Sequence, residues 1–241
     1  MKKYISLSSH PGNTGKYFYT NFFDYYNIDA VYEPQGTSNL KVALEQYPDV
    51  DGISVSMPFK KEIIQYLDKT SELVDQWHLC NTVKIENGVL TGYNCDYHGM
   101  CHVVSHIENL ACNTVSILGD GAIGTMFAEW LKEYRPTVYS RKLGTWHSRH
   151  SAADVLINCT SFGTIDNNSP VDYLPENIQL VIDLAIKNNN LAEQCIYNNI
   201  KYISGKEFYK FQFLSQFEIY TGITASPEIY DQFEIKLYEK I

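Results

Sequence analysis

Lys60 and Asp96 carry the ammonium and carboxylate that general acid–base chemistry uses. An ammonium within hydrogen-bond reach of an oxygen that gains negative charge stabilises that charge and can deliver a proton. A carboxylate beside a lysine can orient it. Lysine ordinarily titrates at about 10.4, so donating a proton is easily met, whereas a base role needs a depressed pKa. The sequence leaves both roles open. Further along, Gly119, Gly121 and Gly124 complete a Gly-x-Gly-x-x-Gly loop with Ala122 inside it. A β-branched run, Thr114 to Leu118, precedes the loop, and a helix-like stretch, Met126 to Tyr134, follows it. In that context the first glycine permits a tight turn, the second admits a diphosphate to the backbone, and the third lets helix and strand pack closely. The helix start then offers unpaired amides to the phosphates. An NAD site places an acid about 20 residues beyond such a loop. Here Tyr139-Ser140-Arg141-Lys142 holds two cations and no acid. A guanidinium suits a 2′-phosphate, so NADP is favoured over NAD. Asp120 lies inside the loop and must point away from the phosphates.

The elements that would position these residues follow an α/β alternation. Residues 17–26 read as a helix, Ile28 to Tyr32 as a strand, and Gly52 to Ser56 as a short strand closed by Pro58. Lys60 to Tyr66 reads as a helix starting just after that proline. Thr82–Ile85 and Val89–Tyr93 flank Glu86-Asn87-Gly88, the clearest hairpin in the chain. Apolar residues at Met100, Val103, Val104, Ile107 and Leu110 give a helical period, and Asp96 is placed to cap that helix. Further strands are expected at Thr137–Tyr139, Val155–Ile157, Leu180–Ile182 and Tyr202–Ile203. The twelve residues between Arg141 and Asp154 are too few for a full crossover helix and strand, so this second lobe reads as trimmed. Phe208, Phe211, Leu214, Phe217 and Ile219 form a roughly helical stripe, expected in the core.

Composition bounds the function. The chain has 241 residues, 44% hydrophobic and 20% charged, room for one large domain or two small ones with a packed core. A net charge of −9 argues against a nucleic-acid partner, though not against an anionic small ligand. No apolar run reaches the roughly 18 residues that span a bilayer. No long apolar stretch follows Lys2 and Lys3, so no secretory signal is expected. The six cysteines include no Cys-x-x-Cys pair and read as reduced thiols. A cytoplasmic placement follows as an expectation. His98, His102 and His106 share a helical face, but the outer two would stand roughly 12 Å apart along the axis, and no metal site is assigned.

Several separated segments carry a resemblance. They are Val55-Ser56-Met57-Pro58-Phe59-Lys60, Asn81-Thr82, Gly92-Tyr93-Asn94-Cys95-Asp96, the glycine loop, Ile157-Asn158-Cys159-Thr160-Ser161-Phe162-Gly163, and Gly205 through Gln212 to Phe217. In this order they resemble the shikimate dehydrogenase family over nearly the whole chain. The start, Ser6 to Gly15, looks more like its divergent shikimate dehydrogenase-like branch. The resemblance implies two α/β lobes: a substrate lobe over residues 1–98 plus a returning C-terminal helix, 210–241, and a Rossmann-type NADP lobe over residues 99–209. It implies reversible hydride transfer between NADPH and 3-dehydroshikimate, giving shikimate. Lys60 and Asp96 match the catalytic pair, and Asn81, Ser56 and Gln212 match substrate contacts. Gly119, Gly121, Ala122, Gly124, Ser140, Arg141, Asn158 and Gly205 fall in the cofactor segments. Two serines that usually bind the substrate carboxylate are replaced by Asn13 and Gly15. The Asn13 amide can still donate, and Lys16 could supply charge. Ile186 stands where the family usually has a tyrosine. The substrate is therefore expected to be shikimate or a close relative, the protein a monomer or homodimer. Two rival readings are an NAD-preferring quinate/shikimate dehydrogenase and a non-catalytic paralogue that binds nucleotide or a small ligand.

Overall fold

The computed structural model describes residues 1–238 apart from 109, 165 and 188. In chain order its first half comprises β1 (Lys2–Ser8), α1 (Thr14–Tyr25), β2 (Ala30–Gly36), α2 (Leu40–Gln46), β3 (Gly52–Val55), β4 (Lys69–Thr70), α3 (Glu72–Trp77), β5 (Thr82–Glu86), β6 (Val89–Tyr93) and α4 (Asp96–Glu108). There follow β7 (Val115–Leu118), α5 (Ala122–Trp130), β8 (Thr137–Tyr139), β9 (Val155–Asn158), β10 (Leu180–Asp183), α6 (Asn190–Tyr197), β11 (Lys201–Ser204), α7 (Gly205–Thr221) and α8 (Pro227–Tyr238). Two compact units divide the chain: unit 1 is Met1–Tyr97 with Gln212–Ile241, and unit 2 is His98–Phe211. The last three residues of the expected C-terminal segment, 239–241, lie outside the described residues.

Unit 1 is built on a mixed sheet in the order β2-β1-β3-β5-β6-β4. β1 pairs in parallel with β2 and β3, and β5 pairs antiparallel with β3 and β6. The β5–β6 turn places Asn87 at φ 53° and Gly88 at φ 77°, the left-handed pair that a two-residue hairpin loop demands. β2 starts two residues later than the sequence implies. Asn27 turns at φ 55° and the Ile28 amide bonds back to Phe23 O at 2.8 Å, so this stretch closes α1 instead of starting a strand. β2 then runs through Pro34, which an edge strand tolerates. The expected helix at Lys60 is shorter as well, a single 3₁₀ turn over Glu62–Tyr66. The Lys60 carbonyl accepts instead from the Cys80 amide at 2.9 Å, tying the residue across the chain. One face of α1 is aromatic. Phe18 stacks on Tyr230 at 4.2 Å, Tyr19 on Tyr32 at 4.2 Å, and Phe22 meets Phe213 and Phe217 edge-on.

Unit 2 carries a parallel sheet in the order β11-β10-β9-β7-β8. Val115, Ile117, Leu118, Val155, Leu156, Ile157, Leu180, Val181 and Ile182 are all buried, as strands covered on both faces require. The chain leaves β7 for the outer strand β8 and then crosses back to β9 on the other side. That reversal is a topological switch point, where ligands of open α/β sheets bind at the carboxyl ends of the strands. The β8–β9 connection holds only a 3₁₀ turn at Trp146–Ser148 among the described residues, which is the trimmed crossover the spacing implies. α5 begins at Ala122, directly after the glycine loop, and stops at Trp130. All six cysteines are free, and no helix of the described residues is long and apolar enough to cross a membrane.

Candidate active site

Lys60 and Asp96 meet within unit 1. Lys60 Nζ donates to Asp96 Oδ2 at 2.7 Å, with side chains 16% and 1% exposed. Asp96 is not the helix cap that its position implies. Asn94 Oδ1 accepts from the Asp96 amide at 3.1 Å, so Asn94 shapes the turn and the Asp96 carboxylate remains for Lys60. Asn81 is held alongside. Its Oδ1 accepts from the Cys95 amide at 2.9 Å and from the Thr82 hydroxyl at 2.8 Å. Neighbouring backbone ties the group together, since Cys80 bonds to Lys60 O and Asn81 to Tyr93 O. Two buried atoms of this cluster have no partner among the described residues: Asp96 Oδ1 and Asn81 Nδ2. One accepts and the other donates, which is what ligand hydroxyls would satisfy. Burial pushes the Cys80 thiol up to about 11 and the Cys95 thiol up to about 12, so both remain protonated beside the pair.

The remaining substrate-end residues of the sequence reading scatter more widely. Ser56 is exposed just after β3. Asn13 is exposed at the start of α1, and its side chain makes no capping bond. Lys16 does not supply free charge there, because its ammonium is held by Glu33 at 2.7 Å. Gln212 is half-buried on α7. The sequence reading missed Gln216, one turn further on and 4% exposed. Its signal was available: a second glutamine at i+4 inside an aromatic stripe.

In unit 2 a pocket of about 540 Å³ opens at the carboxyl ends of β7, β8 and β9. Gly119, Asp120 and Gly121 form one wall, Ser140, Arg141 and Lys142 a second, and Cys159 to Phe162 a third, with Trp146 and Asp166 completing it. Gly119 adopts φ +100°, a conformation that favours glycine. A Cβ on Gly124 would strike Gly119 O, so helix and loop pack as closely as a third glycine allows. A Cβ on Gly121 would meet nothing within 4 Å, which leaves the loop open to a ligand above the start of α5. Ser140 is buried: its hydroxyl accepts from the Leu143 amide at 3.0 Å and its amide donates to Thr145 Oγ1 at 3.0 Å. That turn presents Arg141 and Lys142 outward, both exposed. Trp146 and Phe162 lie parallel, 5.9 Å apart, an aromatic wall that the sequence reading did not assign.

Two expected cofactor residues do not line this pocket. Asn158 is fully buried, and its side chain is used within the protein: Nδ2 donates to Asp183 at 2.8 Å and to Phe162 O at 3.3 Å, and Oδ1 accepts from the Thr160 amide and hydroxyl. It braces the wall instead of facing a ligand. Gly205 opens α7 against the Leu184 and Ala185 carbonyls, with no room for a Cβ. Of the helix-face histidines, His102 bonds Glu207 at 3.1 Å and stacks on Phe211 at 3.9 Å. His106 lies 3.3 Å from the Lys201 ammonium, and burial, then that charge, lowers its pKa.

Residues 14–83 match the model of the shikimate dehydrogenase substrate binding domain, all within unit 1. Over 93% of its length the chain is 23% identical to a shikimate dehydrogenase-like protein of Haemophilus influenzae, covering 92% of that protein. It is 28% identical to the NADP⁺ shikimate dehydrogenase of Pyrococcus furiosus, with 86% and 85% of the two chains covered. Shikimate 5-dehydrogenase of Thermus thermophilus, solved with NADP(H) and shikimate, shares the fold at a TM-score of 0.80 and 20% identity, covering 98% and 99% of the two chains. Residues 14–83 thus match a shikimate dehydrogenase domain model, and over most of its length the chain is similar to shikimate dehydrogenases in sequence and in fold.

Proposed function

We propose that this protein is an NADP-dependent dehydrogenase that interconverts 3-dehydroshikimate and shikimate, or a close cyclic hydroxy-carboxylate, by hydride transfer. The observation that carries the reading is the buried Lys60–Asp96 pair with the partnerless Asp96 Oδ1 and Asn81 Nδ2 beside it. In reduction the Lys60 ammonium donates to the substrate oxygen, stabilises the charge that grows there and gives up a proton. Asp96 Oδ2 fixes the ammonium, and Oδ1 accepts from a substrate hydroxyl. Asn81 Nδ2 donates to a hydroxyl oxygen of the same ligand.

The pocket of unit 2 fits NADP. The open backbone at Gly121 and the amides at Ala122 suit the diphosphate, and Arg141 with Lys142 suits the 2′-phosphate. When bound there, the nicotinamide supplies or accepts the hydride. The two acids on the wall, Asp120 and Asp166, must stay clear of the phosphates. The protein acts on a small molecule in the cytoplasm, as a monomer or homodimer. Nicotinamide absorbance with shikimate and each cofactor tests the reading, and turnover faster with NADP than with NAD is expected. The altered clamp at Asn13 and Gly15 makes quinate and other ring hydroxy-acids the comparison substrates. No turnover, together with no NADPH binding, would replace this reading with that of a non-catalytic paralogue.

A further inference from the structure

We propose that Gln216 and Thr82 are positioning residues: they form a one-way hydrogen-bond relay that fixes the Asn81 amide with its nitrogen toward substrate. The inference rests on the function proposed above. Main-chain groups settle each orientation. Gln216 lies 3.2 Å from Asn81 O, which can only accept, so the nearer side-chain atom of Gln216 is its nitrogen. That nitrogen also donates to Thr82 Oγ1 at 2.6 Å. At the other end, Gln216 Oε1 accepts from the Tyr19 hydroxyl at 2.8 Å and from Ser54 at 2.9 Å. Thr82 has one hydroxyl proton. With its oxygen occupied by Gln216, that proton goes to Asn81 Oδ1 at 2.8 Å, a better acceptor than the Cys95 sulfur at 3.2 Å. The Cys95 amide, which can only donate, fills the second lone pair of Asn81 Oδ1 at 2.9 Å. Both Asn81 acceptor sites are thus taken, and its two N–H groups are left for a ligand. Asn81, Thr82 and Gln216 are at most 4% exposed, so water does not compete for these bonds.

Gln216→Glu keeps the volume and reverses the relay, because a carboxylate accepts the Thr82 proton and withdraws it from Asn81. Thr82→Val removes that proton, and Thr82→Ser restores it. We expect Gln216→Glu and Thr82→Val each to raise the shikimate KM about tenfold, the worth of about one hydrogen bond. The NADP KM should not move, and Thr82→Ser should behave as the parent. On an Asn81→Ala background neither change should add anything, which a general loosening of the core would not reproduce. A substrate-free readout accompanies the kinetics. The Asn81 side-chain amide signal in nitrogen-15 NMR, assigned by its loss in Asn81→Ala, should shift or broaden in both variants. Unchanged KM values, additive losses on the Asn81→Ala background, or an unchanged amide signal would each overturn the proposal. So would loss of the folded state in both variants, which would make the relay a core element only. If the parent itself fails to turn over shikimate, the proposed function falls, and the amide signal alone decides the relay.

Discussion

At the scale of single residues, the Lys60–Asp96 pair is better explained by chemistry than by stability. Taking two charges out of water costs more than most ion pairs return, and apolar replacements of such pairs are often neutral or stabilising. Asp96 is 1% exposed and keeps one oxygen without a partner, an arrangement that a purely structural pair would avoid. We expect Lys60→Ala to lower kcat by on the order of 10²-fold, the scale of a positioned proton donor or oxyanion stabiliser. The double variant Lys60→Met, Asp96→Leu should fold with a thermal midpoint near the parent's and show no turnover. A parent-like rate in Lys60→Ala would remove the lysine from the mechanism. Arg141 is the matching test in unit 2. It is exposed and lines the pocket. Replacing it with alanine should raise the NADP KM about tenfold or more, for loss of a charge-assisted contact, and leave the NAD KM nearly unchanged. Equal effects on both cofactors would mean that Arg141 does not read the 2′-phosphate.

At the scale of elements, the glycine loop depends on β7 being correctly started and paired. Asp154, just before β9, does this. Its Oδ2 accepts from the Asn113 and Thr114 amides at 2.8 and 3.0 Å and from the Thr114 hydroxyl at 2.9 Å. The Asn113 amide, then the Thr114 hydroxyl, hold its carboxyl below the ordinary value of 3.8. A carboxylate whose pKa is depressed by folding stabilises the fold above its ordinary pKa, and that contribution is lost as pH falls through the folded value. Asp154→Asn should therefore have a lower thermal midpoint than the parent at neutral pH. The gap should begin to narrow as pH falls below about 4 and should close only once pH is below the folded value, as linkage requires. A constant gap across the acid range would show that the carboxylate charge is not what clamps β7 to β9.

At the scale of the whole molecule, each unit holds buried apolar packing of its own. Unit 1 combines the aromatic contacts of α1 with Phe213, Phe217 and Tyr230 and an aliphatic cluster that includes Leu7, Leu40, Ile53 and Ile63, and unit 2 buries its aliphatic strands. A cofactor that binds the folded pocket alone must stabilise the protein by mass action. NADP at a hundredfold its dissociation constant should add about 2.7 kcal/mol, read as a rise in thermal midpoint. At the same NADP concentration Arg141→Ala should show a smaller rise. No rise in the parent would argue against NADP as the ligand of this pocket.

Much of this was legible in the chain. The Asn87-Gly88 hairpin and the β-branched run before Gly119 depend on local backbone preference and spacing, so sequence alone determined the α/β class and the strand–glycine loop–helix unit. Tertiary structure decided which polar atoms face each other. Asp96 reads locally as a helix cap, yet its carboxylate holds Lys60, thirty-six residues away, through Oδ2 and keeps Oδ1 without a partner. Asn158 reads as a cofactor contact, yet Asp183 and Phe162 claim its amide. Gln216 reads as one more residue of an aromatic helix, yet it reaches Asn81 and Thr82 across more than a hundred positions. Local preference acts over a few residues, whereas the partner of a buried polar group is whichever group folding brings within hydrogen-bond reach.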